Sequence, residues 1–181
     1  YSGGRLVNEP FDFSLKNNVA LADLHQQLRS LVFPESVPKS QRFRIGAEDR
    51  RFLLRWMSSY PRESRYPWYD STEYPDTYAK FLARDILPSP GLRVFSKSGW
   101  AYGFLTDVAY FADPDRNIEF MLSATILCNS DGVFNDDHYD FEQTGYPFMR
   151  QLGKTIYDYE LSRPRKHRPD LSAFRFDYTT E

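Results

Sequence analysis

The segment Val94-Phe95-Ser96-Lys97-Ser98-Gly99-Trp100 places an ammonium, two hydroxyls and a glycine within one extended run. A buried strand has no local use for Lys97, Ser98 and Gly99 in succession, whereas a strand at the lip of a cleft does. There Lys97 supplies a fixed positive charge, Ser98 a hydroxyl donor for an anionic group, and Gly99 lets a ligand approach the backbone. The competing reading is an exposed edge strand whose lysine is simply solvated.

The elements that must position this run follow from apolar spacing. Leu21, Leu24, Leu28 and Leu31 recur three and four apart and predict a helix from about Asn18 to Val32, ended by Pro34 and Pro38. A second helix is expected from Glu48 to Ser58, with Phe52, Leu53, Trp56 and Met57 as its apolar face. A short third helix is expected from Tyr74 to Ala83. Leu92–Trp100, Gly103–Ala112 and Asn117–Cys128 are rich in Val, Ile, Phe and Tyr and read as strands. Asp113-Pro114-Asp115-Arg116-Asn117 suits a type I turn and joins the last two as an antiparallel hairpin. Phe148, Leu152, Ile156 and Tyr159 mark a C-terminal helix over Thr144–Leu161 that covers one face of the sheet. The order gives an α+β fold: a helical half (1–90), a three-stranded antiparallel meander with its covering helix (91–162), and a basic tail (163–181).

Composition narrows the class. The chain has 181 residues, 17% of them aromatic, too much ring surface for a disordered segment. No run approaches the roughly 20 apolar residues of a membrane span. A formal charge of −2 argues against a general nucleic-acid binder. Cys128 is the only cysteine, and His25, His138 and His167 are scattered, so neither an internal disulfide nor a Cys/His metal site is expected, and no cofactor motif stands out. The chain opens Tyr1-Ser2-Gly3-Gly4 without an initiator methionine, which reads as processing or trimming.

Lys97-Ser98-Gly99 on a strand, followed by two further strands and a C-terminal helix, resembles the last part of the serine β-lactamase and penicillin-binding protein family, which carries a Lys-Thr/Ser-Gly motif there. The leucine-striped helix and Arg50-Arg51-Phe52-Leu53-Leu54-Arg55-Trp56-Met57 look like the paired helices that precede that strand in class A enzymes. Ala101-Tyr102-Gly103-Phe104-Leu105-Thr106-Asp107 points toward exported bacterial serine hydrolases. The similarity spans Ser14 to Glu160. It implies part of a β-lactamase/transpeptidase-like fold, a periplasmic or cell-envelope location, and acyl transfer on an amide or ester such as a β-lactam or cell-wall peptide. It also implies roles: Lys97 supports the substrate carboxylate and the proton relay, Ser98 hydrogen-bonds that carboxylate, and the Trp100 backbone N–H serves the oxyanion hole.

The chain departs from that pattern at the nucleophile. Its only Ser-x-x-Lys is Ser36-Val37-Pro38-Lys39, where Pro38 interrupts the turn that would join the pair. Ser130-Asp131-Gly132 mimics the family's Ser-Asp-Asn loop but follows the Lys-Ser-Gly strand, the wrong order. Glu9 precedes the first helix, in surroundings that do not match the family's deacylating loop. The nucleophile is therefore expected in a missing N-terminal segment, and this single domain is expected to be incomplete. One face of the sheet would then lack its helix. The Ile118–Cys128 strand would present a bare edge to that segment, to a swapped segment or to a second copy.

The alternative reading is a non-catalytic cell-envelope module that recognises an anionic or glycan ligand. Tyr66-Pro67-Trp68-Tyr69 offers a sugar-stacking platform, although the commoner fate of such rings is packing onto helices. Asn129–Asp137 resembles a calcium loop, but Leu127 and His138 occupy its first and twelfth positions, which favours a solvated connection of Asn and Asp turns.

Overall fold

In a computed structural model, three antiparallel strands, β1 (Arg93–Ala101), β2 (Phe104–Asp113) and β3 (Ile118–Leu127), lie in spatial order β1-β2-β3. The helices are α1 (Leu21–Val32), α2 (Ala47–Ser58) and α3 (Tyr146–Ser162), and the fold is α+β with an open sheet. The structure describes residues 1–83, 85 and 87–179.

The turns fix the register. Tyr102 and Gly103 have φ of +53° and +81°, the left-handed pair that a two-residue hairpin needs, and they close β1 onto β2 at Ala101↔Phe104. At the β2–β3 turn, Asp113 Oδ1 accepts the Asp115 and Arg116 N–H groups at 3.1 and 3.2 Å, and Asn117 takes φ +55°. The buried Asp113 carboxylate also accepts Tyr157 Oη–H at 2.5 Å and Ser89 Oγ–H at 3.2 Å, which ties the turn to α3.

Alternation sorts the side chains onto two faces. Val94, Leu105, Ala109, Phe111 and Ile118 pack under α3 with Phe81 and Met149. Phe95, Val108, Tyr110 and Ala112 pack under α1 and α2 with Leu28, Leu31 and Leu54. Both faces are thus covered, so the expectation of a face without its helix fails. α1 and α2 supply the second cover, and the C-terminal tail completes it. Read from the sequence only as a basic tail, it folds back and buries Leu171 and Phe174 among Phe33, Phe95 and Tyr110. Residues 180–181 of that tail lie outside the described residues.

Two helix faces also differ from expectation. In α2 the buried residues are Leu54 and Ser58, while Phe52 and Trp56 are exposed and meet edge to face. In α3 the buried line is Met149, Gly153 and Tyr157, with Phe148 and Tyr159 exposed. A Cβ on Gly153 would stand 2.2 Å from the Phe81 carbonyl oxygen, so the glycine lets α3 seat against residues 80–82. The expected helix over Tyr74–Ala83 does not form. Only Lys80–Leu82 makes a single 3-10 turn, because Tyr74 precedes a proline and the Lys80 N–H is taken by Asp107.

Candidate functional site

β1 is an edge strand, and a hollow of about 220 Å³ lies along its free side, lined by Ser96, Lys97 and Ser98, the end of α2 at Ser58 and Ser59, Tyr60, and the 76–82 segment. The far wall is held rigidly. Arg93 donates to both Glu63 carboxylate oxygens at 2.8 and 2.9 Å, and its guanidinium lies 4.2 Å from the Tyr60 ring centroid and 3.7 Å from that of Tyr178. The Tyr60 hydroxyl donates to the Leu92 carbonyl, and burial pushes its pKa up to about 12.

The pleat divides the Lys-Ser-Gly motif. Ser98 follows Val94 and Ser96 on the α3 face, whereas Lys97 and Gly99 follow Phe95 on the α1/α2 face. Lys97 is exposed, and its ammonium donates to the neighbouring Ser98 carbonyl at 2.9 Å while its side chain borders the hollow. Nothing lies within 4 Å of the position a Cβ would take on Gly99, so the backbone there is open to approach. Trp100 pairs across the ladder with Leu105.

Sequence reasoning missed two charged residues beneath this motif. Asp107, directly opposite Ser98 in the ladder, is completely buried. Its Oδ2 accepts the Lys80 N–H at 2.9 Å, and among the described residues its Oδ1 has no hydrogen-bond partner. Burial raises its pKa to about 6, against the opposing pull of the Lys80 N–H and of the Lys80 and Lys97 charges. Lys80 is also buried, with its ammonium 4.0 Å from the Trp100 ring centroid, 4.6 Å from that of Tyr78 and 5.4 Å from that of Tyr146. A charged residue read along a sequence suggests solvent, and the only cue here was Asp107 standing in the interior of a strand that runs apolar from Val108 to Ala112.

The other expected sites are not brought together. Ser36 closes one 3-10 turn and Lys39 opens the next, with Val37 and Pro38 extended between them. Ser36 Oγ donates to the Phe33 carbonyl and accepts from Arg29, so it forms no pair with Lys39. Asp131 caps its own turn at the Val133 N–H, Asp136 does so at His138, and Asp140 accepts the Ser130 N–H. No group of three or more His, Cys, Asp or Glu among the described residues is arranged to hold a metal ion, and the Asn129–Asp137 loop is a series of Asx turns. The packed reading of the Tyr66–Tyr69 loop fails, since Tyr66 is 89% and Trp68 74% exposed. No described helix is long and apolar enough to cross a membrane.

No protein-family model, curated protein or solved structure matches the chain.

Proposed function

We propose that the chain is the C-terminal part of a serine acyl-transfer hydrolase of the β-lactamase and penicillin-binding protein kind, acting on an amide or ester that carries a carboxylate. The observation that carries the reading is the Lys97-Ser98-Gly99 run on an edge strand, with Lys97 and Ser98 bordering a hollow and open space beside Gly99. On this reading Lys97 supplies charge to the substrate carboxylate, Ser98 donates its hydroxyl to it, and the Trp100 N–H faces the developing oxyanion. Ser36 and Lys39 are held apart, so the Ser-x-x-Lys nucleophile comes from outside these 181 residues. The enzyme works outside the cytoplasm, on cell-wall peptides or β-lactams.

The same reading gives the outer edge of β3 a partner. Phe120–Leu127 contains neither charge nor proline, the usual guards of an open edge. A strand from the nucleophile-bearing portion, or from a second copy, completes the sheet there.

A fluorescent penicillin and a fluorophosphonate test the proposal on a chain extended by its upstream coding sequence. Covalent labelling of the extended chain, lost when the serine of its Ser-x-x-Lys is replaced and absent from the 181-residue chain, is expected. An extended chain that neither reagent labels overturns it.

A further inference from the structure

The Tyr66–Tyr69 loop leaves Tyr66 and Trp68 in solvent, and through the half-buried Tyr69 it adjoins a larger aromatic surface. The ring centroids of Tyr69 and Tyr74 are 5.1 Å apart and those of Tyr74 and Tyr78 are 5.7 Å apart, each pair tilted. Past Tyr78 lies a second hollow of about 290 Å³, walled by Tyr74, Tyr78, Trp100 and Tyr146. Its size is at the small end of ligand cavities. Beneath the rings the buried Lys80 ammonium holds Tyr78 and Trp100 in place, so the walls are set before any ligand arrives.

We propose that this surface, from Trp68 past Tyr74 and Tyr78 to Trp100, binds a neutral β-linked sugar chain. Exposed aromatic faces are costly to leave in water unless a ligand covers them, and the C–H faces of pyranose rings are suited to stack on tilted phenol and indole planes. The polar groups at the margin fit hydroxyl ligands: Glu73 lines the hollow as an acceptor, and the Tyr78 phenol, its pKa raised by burial and by the neighbouring tyrosines, remains a neutral donor.

Charge argues against the other partners that use stacked rings. Asp70 and Glu73 are exposed on this segment, and Thr72 hydrogen bonds keep the Asp70 pKa below the ordinary value. Arg62 is paired with Asp76 at 2.6 Å, and Arg65 donates to the Thr179 carbonyl. Lys80 is buried under the rings. A phosphate backbone or an anionic bilayer would meet carboxylates here, with no basic stripe among the described residues to neutralise it. The inference goes beyond the hydrolase reading and rests on no part of it.

The test titrates the 181-residue chain with cellotetraose and with tetra-N-acetylchitotetraose, followed by tryptophan fluorescence and calorimetry. Saturable binding of at least one sugar is expected, weakened about tenfold or more by Tyr78→Ala and by Trp68→Ala. Trp68 is largely exposed, so circular dichroism and the thermal midpoint of Trp68→Ala are expected to stay at wild-type values. Tyr78 packs on Lys80 and Tyr74, so Tyr78→Phe, which keeps the stacking ring, is the folding control for Tyr78→Ala and is expected to retain binding. Three results overturn the proposal: no saturation with either sugar, binding that both substitutions leave unchanged, or tighter binding of oligo-dT or phosphatidylserine vesicles than of the sugars.

Discussion

Asp107 stands directly across the β1–β2 ladder from Ser98, and its carboxylate accepts the backbone N–H of Lys80 at 2.9 Å. One buried acid thus joins the motif strand to the 73–83 segment that separates the two hollows. Lys80 extends the link, since its ammonium packs on Trp100, two residues beyond Ser98. The candidate hydrolase edge and the aromatic hollow therefore share a single support.

That support has a pH signature. Asp107 rises from 3.8 to about 6 on folding, so the folded chain holds its proton where the unfolded chain has lost it. Its contribution is present in full below the unfolded value and is lost as pH rises toward about 6. Two pKa units correspond to about 3 kcal/mol. Asp107→Asn keeps an acceptor for Lys80 and cannot ionise. Urea denaturation from about pH 3 to pH 7 is expected to show wild type losing about 3 kcal/mol relative to Asp107→Asn. Parallel curves for the two proteins would refute the assignment.

The Asp113 carboxylate is the contrasting case, buried with a partner for each oxygen. Tyr157→Phe removes the donor to Oδ2 and keeps the ring packing. A loss of about 2 kcal/mol is expected by urea denaturation, from one charge-assisted bond. The Tyr157 phenol is pushed up to about 12 by burial and by the Asp113 carboxylate. Burial also raises Tyr60 and Tyr110, so alkaline titration is expected to show a late tyrosine absorbance step that is smaller by one residue in Tyr157→Phe than in wild type.

Much of this frame was legible in the sequence because it rests on short-range chemistry. The Asp113–Asn117 turn and the leucine stripe of α1 each follow from local residue type, whereas the two-residue turn at Tyr102-Gly103 takes Gly103 out of the strand expected to begin with it. Long-range effects were not legible. Leu171 and Phe174 sit in a proline-rich tail with no helical or strand period, yet they complete the core against Phe95 and Tyr110. Lys80 and Asp107 look solvated in one dimension, and only the pairing of β2 beneath the 80–82 turn takes both out of water.

Gly153 shows the same dependence on packing. As an interior helical glycine it costs roughly 1 kcal/mol relative to alanine. Gly153→Ala nonetheless is expected to destabilise the fold, by about 1–3 kcal/mol, because the new methyl would meet the Phe81 backbone rather than a flexible side-chain end. Thermal denaturation decides the sign. A stabilised Gly153→Ala protein would mean that α3 does not seat against residues 80–82 as described.

Lys97 separates a structural role from the proposed chemical one. Its ammonium makes one hydrogen bond, to the adjacent carbonyl, from an exposed position. Lys97→Ala is therefore expected to change stability by no more than about 0.5 kcal/mol, measured by denaturation of the 181-residue chain. In the extended protein the same change is expected to slow acylation by a fluorescent penicillin about a hundredfold, the scale of losing one preorganised electrostatic group. Lys97→Arg keeps the charge and is expected to recover part of that rate. A Lys97→Ala chain that unfolds would make the lysine structural. One that folds and acylates at the wild-type rate would remove the lysine from the reaction.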